Sequence, residues 1–342
     1  MKILTISIAA YNVEQYLAET LESLVDPRYV DDIEVLVVDD GSKDNTGLIA
    51  TDYQNRYPET IHYVKKENGG HGSTINKGMQ LASGKYFRII DGDDYVDCDA
   101  FACFIEKLKQ CDADMVITNL RAVDNEGNRR IDPGVLENGK DPFKSISTNK
   151  VLRFEQTIST RVFGLSTLSI KTKLLQDAHV QITEKCFYVD VEFIIWCIFL
   201  ANNYEYWNLN VYMYRKDPSG NNSVSKVNML KNVAMQEKVS RRMCELYETF
   251  LTKNMDSDKT SLIMARIAIS VGATIRTYML MDKLKDSKSN IIRFDRSIKN
   301  TSTSYKELGR DRFIKYVRLC NYSLVPLIRT AYQTYNKKRK MT

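Results

Sequence analysis

Carboxylates crowd one short stretch of this chain. Residues 84–100 read GKYFRIIDGDDYVDCDA: Asp91, Gly92, Asp93 and Asp94 follow at once on the apolar run 86–90, and Asp97 and Asp99 come close behind. Two unit charges ~4 Å apart interact by several kcal/mol at the dielectric of a protein surface, so the cluster needs a counter-charge. A hard divalent cation with oxygen ligands answers that need. A second acidic pair, Asp39–Asp40, closes another apolar run, IEVLVVDDGS.

The elements that must position these groups alternate along the chain. Residues 3–11, 33–42, 61–66, 85–91 and 113–120 are β-branched or apolar runs that predict strands, the nearly continuous ones being covered on both faces. Between them, Leu17, Leu21 and Leu24 share one helical face, residues 42–57 predict a helix closed by Pro58, NGGHG opens a helix that ends at Gly84, and 100–110 is helical. Strand–helix alternation means a mainly parallel sheet with helices on both faces. Ligands of such sheets bind beyond the carboxyl ends of the strands. Asp39, Asp40, Asp91 and Asp93 all stand at such ends, so one crevice can gather them. Further on, 124–128 predicts a turn, 170–179 and 190–202 predict helices, 204–215 a pair of strands and 216–225 a loop. From about Lys226 the pattern is helical, which divides the chain into residues 1–220 and 221–342.

Bulk properties exclude several classes. The chain has 342 residues, 43% of them hydrophobic, and a net charge of +6. That supports a sizeable core and is too mild a charge for a nucleic-acid-binding footprint. Seven cysteines, an odd number with no C-x-x-C, suit a reduced, cytoplasmic chain, and three scattered histidines argue against zinc. The apolar amino terminus reads as a strand and not as a signal peptide. The longest apolar stretch, 261–281, is interrupted by Arg266 and Arg276 and reads as a buried helix.

Four blocks, TISIAAYNVEQYLAETLESL, EVLVVDDGSKDNT, ENGGHGSTINKGMQLASGKYFRIIDGDDYVD and DVEFII…YMYRKDPSGNNSVS, resemble a family 2 glycosyltransferase in content and order. The likeness covers the first two-thirds of the chain. It implies a GT-A fold, α/β with a Rossmann-like nucleotide-binding half, here followed by a helical carboxyl-terminal region. It also implies an inverting transfer from a nucleotide-sugar, most simply a UDP-sugar, to a glycan or lipid-linked saccharide acceptor, with Mn2+ or Mg2+ as cofactor. Carried over residue by residue, Ala9 and Tyr11 would hold the base and Asp40 would accept from it. Asp91-Gly92-Asp93 resembles the D-x-D motif, with Asp93 on the metal and Asp91 on the ribose or the metal shell. Asp190 resembles the catalytic base, although Val189 stands where a glutamate is common.

Chemistry fits these roles. A departing diphosphate needs its charge neutralised, Gly92 would let backbone approach the ligand, and Arg88, Arg215 and Lys216 are candidate phosphate partners. Asn68 and Asn76 would line the nucleotide pocket. Asp190 and Glu192, two apart on a helix, point different ways, so one serves as the base, with Glu192 in reserve. Plainer readings stand beside these: Asp39 as a turn residue, NGGHG as a simple turn and Asp190 as a helix cap. The end of the chain, YVRLCNYSLVPLIRTAYQTYNKKRK, mixes aromatic, aliphatic and basic residues. It suits either peripheral contact with the inner membrane face or a packed helix with a solvated tail. Two rival functions share parts of the pattern. A sugar nucleotidyltransferase would carry a GGxGTR-like first loop, absent here; a silent glycosyltransferase-like binding module would not need the retained aspartates.

Overall fold

The computed structural model describes residues 2–124, 129–130, 149–154, 164–215 and 225–339. The expected turn at 125–128, the loop at 216–224 and Lys216 lie outside the described residues. The chain divides into two compact units, residues 1–185 with 196–219, and residues 186–195 with 220–342.

In the first unit β1 (Leu4–Ala10), α1 (Leu17–Glu22), β2 (Ile33–Asp39), α2 (Thr46–Arg56), β3 (Ile61–Lys65), α3 (His71–Leu81) and β4 (Tyr86–Asp91) follow the predicted alternation. Next come β5 (Tyr95–Val96), α4 (Cys98–Gln110), β6 (Met115–Val123), β7 (Arg129–Arg130), β8 (Val151–Leu152), β9 (Leu168–Lys171) and α5 (Thr172–Asp177). The helix α6 (Asp190–Leu200) and the strand β10 (Tyr204–Arg215) complete the series, α6 passing from one unit to the other after Ile195. One sheet runs in the order β3-β2-β1-β4-β9-β6-β10-β5. β3, β2, β1 and β4 are parallel, β6 is parallel to β10, and β9 lies antiparallel between β4 and β6. The chain winds outward from β1 through β2 to β3 and returns on the other side of β1 as β4, so the topological switch falls between β1 and β4.

One face of the sheet carries the main core. Ile6, Ile8, Val35, Val37 and Ile90 meet Leu17 and Leu21 of α1 and Phe101, Phe104 and Leu108 of α4. α4 presents these at helical spacing and is capped by Asp97, whose carboxylate accepts from the N–H of Ala100 at 3.1 Å. The opposite face takes α3, which approaches so closely at Gly78 that a Cβ there would lie 2.1 Å from Ser7 Oγ and 2.7 Å from Ser7 Cβ.

Two expectations are corrected. Residues 204–215 form a single strand and not a pair: Asn208 and Asn210 sit where β10 shifts register against β6, between Tyr206 and Tyr212, without ending the strand. The helix expected at 170–179 begins at Thr172: Ile170 and Lys171 belong to strand β9, since Phe87 and Met115 both pair with Ile170 and bury it on two sides.

The second unit is helical: the first half of α6, then α7 (Lys226–Lys231), α8 (Val233–Thr252), α9 (Ser257–Met279), α10 (Leu284–Ser297), α11 (Ser302–Leu308), α12 (Arg312–Arg318) and α13 (Val325–Arg339). Val239, Met243, Tyr247 and Phe250 of α8 and Ile263, Ile267, Val271 and Ile275 of α9 are buried. α9 is long and apolar enough to cross a membrane by length and composition, and 56% of that window is buried inside the protein. Residues 186–195 were expected in the first domain. They cluster with the second unit, where Glu192 pairs with Arg242 of α8 at 3.7 Å.

Gly78→Ala tests the close approach of α3. Helix propensity favours alanine by about 1 kcal/mol, but forcing a methyl against Ser7 costs about 1–3 kcal/mol, occasionally more. Urea unfolding is expected to show net destabilisation; an unchanged or raised midpoint would mean that α3 does not sit as close as described.

Candidate functional site

Three strand ends meet at the switch point. Register sets Asp91 beside Ala9 and Asp39 beside Ala10, so the carboxyl ends of β4, β1 and β2 share one edge. The turn after β4 is tightly held. The N–H of Asp94 donates to the carbonyl of Asp91 at 3.1 Å, that of Gly92 to the carbonyl of Ala9 at 3.1 Å, and Thr20 Oγ1 donates to the carbonyl of Asp94 at 2.6 Å.

Asp94, which sequence reasoning passed over, is the anchor of this turn. It is 1% exposed. Its carboxylate accepts from the Arg215 N–H at 2.7 Å and from the buried Tyr212 hydroxyl. Burial pushes its acid well above the usual carboxylate range, and the neighbouring charges of Asp91 and Asp93 push the same way. Asp91 is half-buried and Asp93 exposed. His71, first residue of α3, brings Nε2 to 3.6 Å from Asp91 Oδ1.

Several expected ligand contacts turn out to be protein contacts. A Cβ at Gly92 would stand 3.0 Å from both the Ala9 carbonyl oxygen and Val13 Cγ2, so the chain's own approach accounts for the glycine. Arg215 lies with its guanidinium over the rings of Tyr16 and Tyr95, 5.1 and 5.3 Å from the centroids. It donates to the Asp93 carbonyl at 2.9 Å and to Glu19 at 2.7 Å; it braces the turn. Arg88 is buried away from any phosphate. It is 0% exposed, over the ring of Phe104, and donates to the Ser166 carbonyl and to Thr118. Burial lowers its pKa to about 10.

The Asp40 carboxylate is occupied as well. It accepts from the N–H groups of Gly69 and Gly70, both at 2.8 Å, from Ser73 Oγ, and from Lys66 Nζ. Asn68 donates to its backbone carbonyl at 3.0 Å. Asp40 thus organises the NGGHG loop, and with 3% exposure it offers a base little beyond a lone pair on Oδ2. Asp39 accepts from the Ser42 N–H at 2.8 Å, the turn role expected of it. Asn76 is corrected too: its amide donates to the Ile182 carbonyl and to Glu184 and accepts from the Ile182 N–H, clamping residues 182–184. Tyr11 is 49% exposed and Ala9 half-buried at the end of β1.

In the second unit, Asp190 opens α6 and is half-buried, while Glu192 is fully buried. Of the two carboxylates only Asp190 reaches solvent. Its charge acts on the buried guanidinium of Arg266, whose pKa burial lowers to about 10 against that pull. Among the described residues no three His, Cys, Asp or Glu side chains converge as a metal-binding group. Asp91 and Asp93 therefore make a two-carboxylate site at most.

This mixed α/β architecture, acidic at the β1–β4 switch, is the GT-A fold. A family model described as glycosyl transferase family 2 matches residues 5–189, and the chain belongs to that family. A relative, the minor teichoic acid biosynthesis protein GgaB of Bacillus subtilis, is 39% identical over 92 residues, 27% of this chain and 10% of its own. The first curated relatives are matched over a third or less of their length. The crystal structure of Staphylococcus aureus TarS 1–349 with UDP-GlcNAc superposes with a TM-score of 0.65 at 19% identity, covering 99% of this chain and 92% of that one. The mannosyltransferase PcManGT of Pyrobaculum calidifontis, solved with GDP-Man and Mn2+, gives 0.53 at 14%, covering 93% and 86%.

Tyr212→Phe removes the hydroxyl that Asp94 accepts from. Leaving a buried acceptor short of a partner costs about 1–3 kcal/mol. Urea denaturation is expected to register a loss of that size; no loss would remove Tyr212 from the anchoring of the turn.

Proposed function

We propose that this chain transfers a sugar, with inversion, from a UDP-sugar to a hydroxyl of a cell-surface polysaccharide or lipid-linked saccharide. The observation that carries the reading is the pair Asp91 and Asp93, held at the surface of a rigid turn at the switch point while the third acid of the turn is buried. Two hard oxygen donors on such a turn fit Mg2+ or Mn2+ whose other ligands are diphosphate oxygens. When bound, the ion neutralises charge on the departing diphosphate. Asp93, the more exposed, is assigned to the metal and Asp91 to the metal or the ribose. Tyr11 and Ala9 are assigned to the base, with Asp40 holding the glycine loop that borders it.

Asp190 is assigned as the base. It takes the proton of the acceptor hydroxyl, the acceptor oxygen bonds to the anomeric carbon, and the bond from that carbon to the diphosphate breaks. Its solvent access supports it over Glu192. The UDP of the TarS complex supports the donor class, the Mn2+ of the PcManGT complex supports the cofactor, and the teichoic acid role in the name of GgaB supports a wall-polymer acceptor. A cytoplasmic setting is in keeping with seven unpaired cysteines.

Titration calorimetry with UDP, GDP and UDP-sugars, with and without Mn2+, tests the reading on wild type, Asp93→Asn and Asp190→Asn. The expected outcome is Mn2+-dependent UDP binding lost in Asp93→Asn. Asp190→Asn should bind UDP normally yet turn over about 100-fold or more slowly, as expected when a general base is removed. Folded wild type that binds no nucleotide in either condition would overturn the transferase reading.

A further inference from the structure

α13 turns two long polar side chains inward and leaves two large apolar ones outside. Arg329 donates to the carbonyls of Met281 and Asp282, and Gln333 donates to that of Met279 at 2.7 Å. The carbonyl of Met279 is one that the end of α9 leaves unsatisfied, and those of Met281 and Asp282 lie in the connection from α9 to α10. Its most exposed large side chains are Leu327, at 70%, and Tyr335, at 59%. They flank exposed Ala331 at four-residue spacing and so form one outward stripe.

α12 also leaves large apolar groups outside beside cations. Ile314 and Val317 are buried and Arg318 pairs with Asp295, whereas Arg312, Lys315, Tyr316 and Leu319 are exposed within one arc of the helix. The charge of this stretch is one-sided. Residues 312–342 contain no aspartate or glutamate; Arg318 and Arg329 are engaged inside, and Arg312, Lys315 and the run KKRK at 337–340 remain as its other cations.

We propose that the outward faces of α12 and α13 dock this protein on an anionic lipid surface. Leucine and tyrosine standing among lysines and arginines are the composition of an interfacial helix: the apolar groups enter the headgroup boundary while the cations meet lipid phosphates. A second copy of the chain would set cations against cations, whereas an anionic bilayer supplies the missing charge. This inference does not depend on the donor or the metal assigned above.

The test is co-sedimentation of the full chain with phosphatidylglycerol–phosphatidylcholine vesicles and with phosphatidylcholine vesicles. It is run at about 0.1 M and about 1 M salt, across which the screening length falls from about 10 to about 3 Å. The anionic vesicles are expected to bind about tenfold or more tightly at low salt, and to lose that preference at high salt. Leu327→Glu/Tyr335→Glu is expected to weaken vesicle binding about tenfold or more with thermal midpoint unchanged. Lys337→Gln/Lys338→Gln/Lys340→Gln should weaken binding to the anionic vesicles only. Three results would overturn the proposal: no binding to anionic vesicles, binding equal on both vesicle types, or a wild-type dimer that the Leu327/Tyr335 variant turns into a monomer. The last would give the face to a second copy.

Discussion

Everything at the switch point depends on how one turn accommodates three adjacent acids. Asp91, Asp93 and Asp94 cannot all lie unscreened within a few ångströms of each other without mutual repulsion of several kcal/mol. The fold separates them by burial. Asp94 goes inside, against the Tyr212 hydroxyl and the Arg215 N–H, and its acid is accordingly harder to ionise. Asp91 and Asp93 stay at the surface. A strand late in the chain, β10, thus fixes the geometry of a turn some 120 residues earlier, as the separation of Arg215 and Asp94 records. Arg215 strengthens the same join from outside by bridging the Asp93 carbonyl and Glu19.

Asp40 solves a related problem on the neighbouring strand. The NGGHG loop has little side chain with which to hold itself, and glycine brings a large conformational entropy to be lost on folding. One carboxylate receives two of its N–H groups together with Ser73 and Lys66. Charge-assisted bonds of this kind are worth about 1.5–3 kcal/mol each, enough to set the loop without a hydrophobic anchor. The resemblance to the family casts Asp40 as a base-binding residue; the hydrogen bonds make it first the residue that gives the base-side loop its shape.

The sequence was most legible where one physical signal acted alone. Continuous β-branched runs placed β1 to β4 and the acids at their ends. It was least legible where a polar side chain could face either way. Arg88 shares parity with Tyr86 and Ile90, so it lies on the α4 side of β4, but a strand buried on both faces has no polar–apolar alternation to reveal that. Asn76 and Arg215 carry the same ambiguity: their donors suit a phosphate or a backbone carbonyl equally well, and only the fold supplies the carbonyls of Ile182 and Asp93. Asp94 was passed over because it extends a motif whose first and third positions already had roles. The last two residues of β9, Ile170 and Lys171, read as helix from sequence because the strand runs straight into α5 with no turn between them.

The helical unit uses the same device as the α/β unit, a buried carboxylate that gathers donors from separate elements. Asp295 of α10 is held by Arg318 of α12, by the Tyr305 hydroxyl of α11 and by the Tyr322 hydroxyl at 2.7 Å. Tyr322 reaches it through a run of three left-handed residues, Cys320, Asn321 and Tyr322, with φ of 48, 52 and 64°. Such backbone costs roughly 1–2 kcal/mol per residue, less at asparagine. The Tyr322 bond to a buried charge returns about 1.5–3 kcal/mol, which offsets part of that strain and ties the chain entering α13 to Asp295. The entry to α13 is thus held at Asp295, on a different helix, while Arg329 and Gln333 fix which of its faces turns inward.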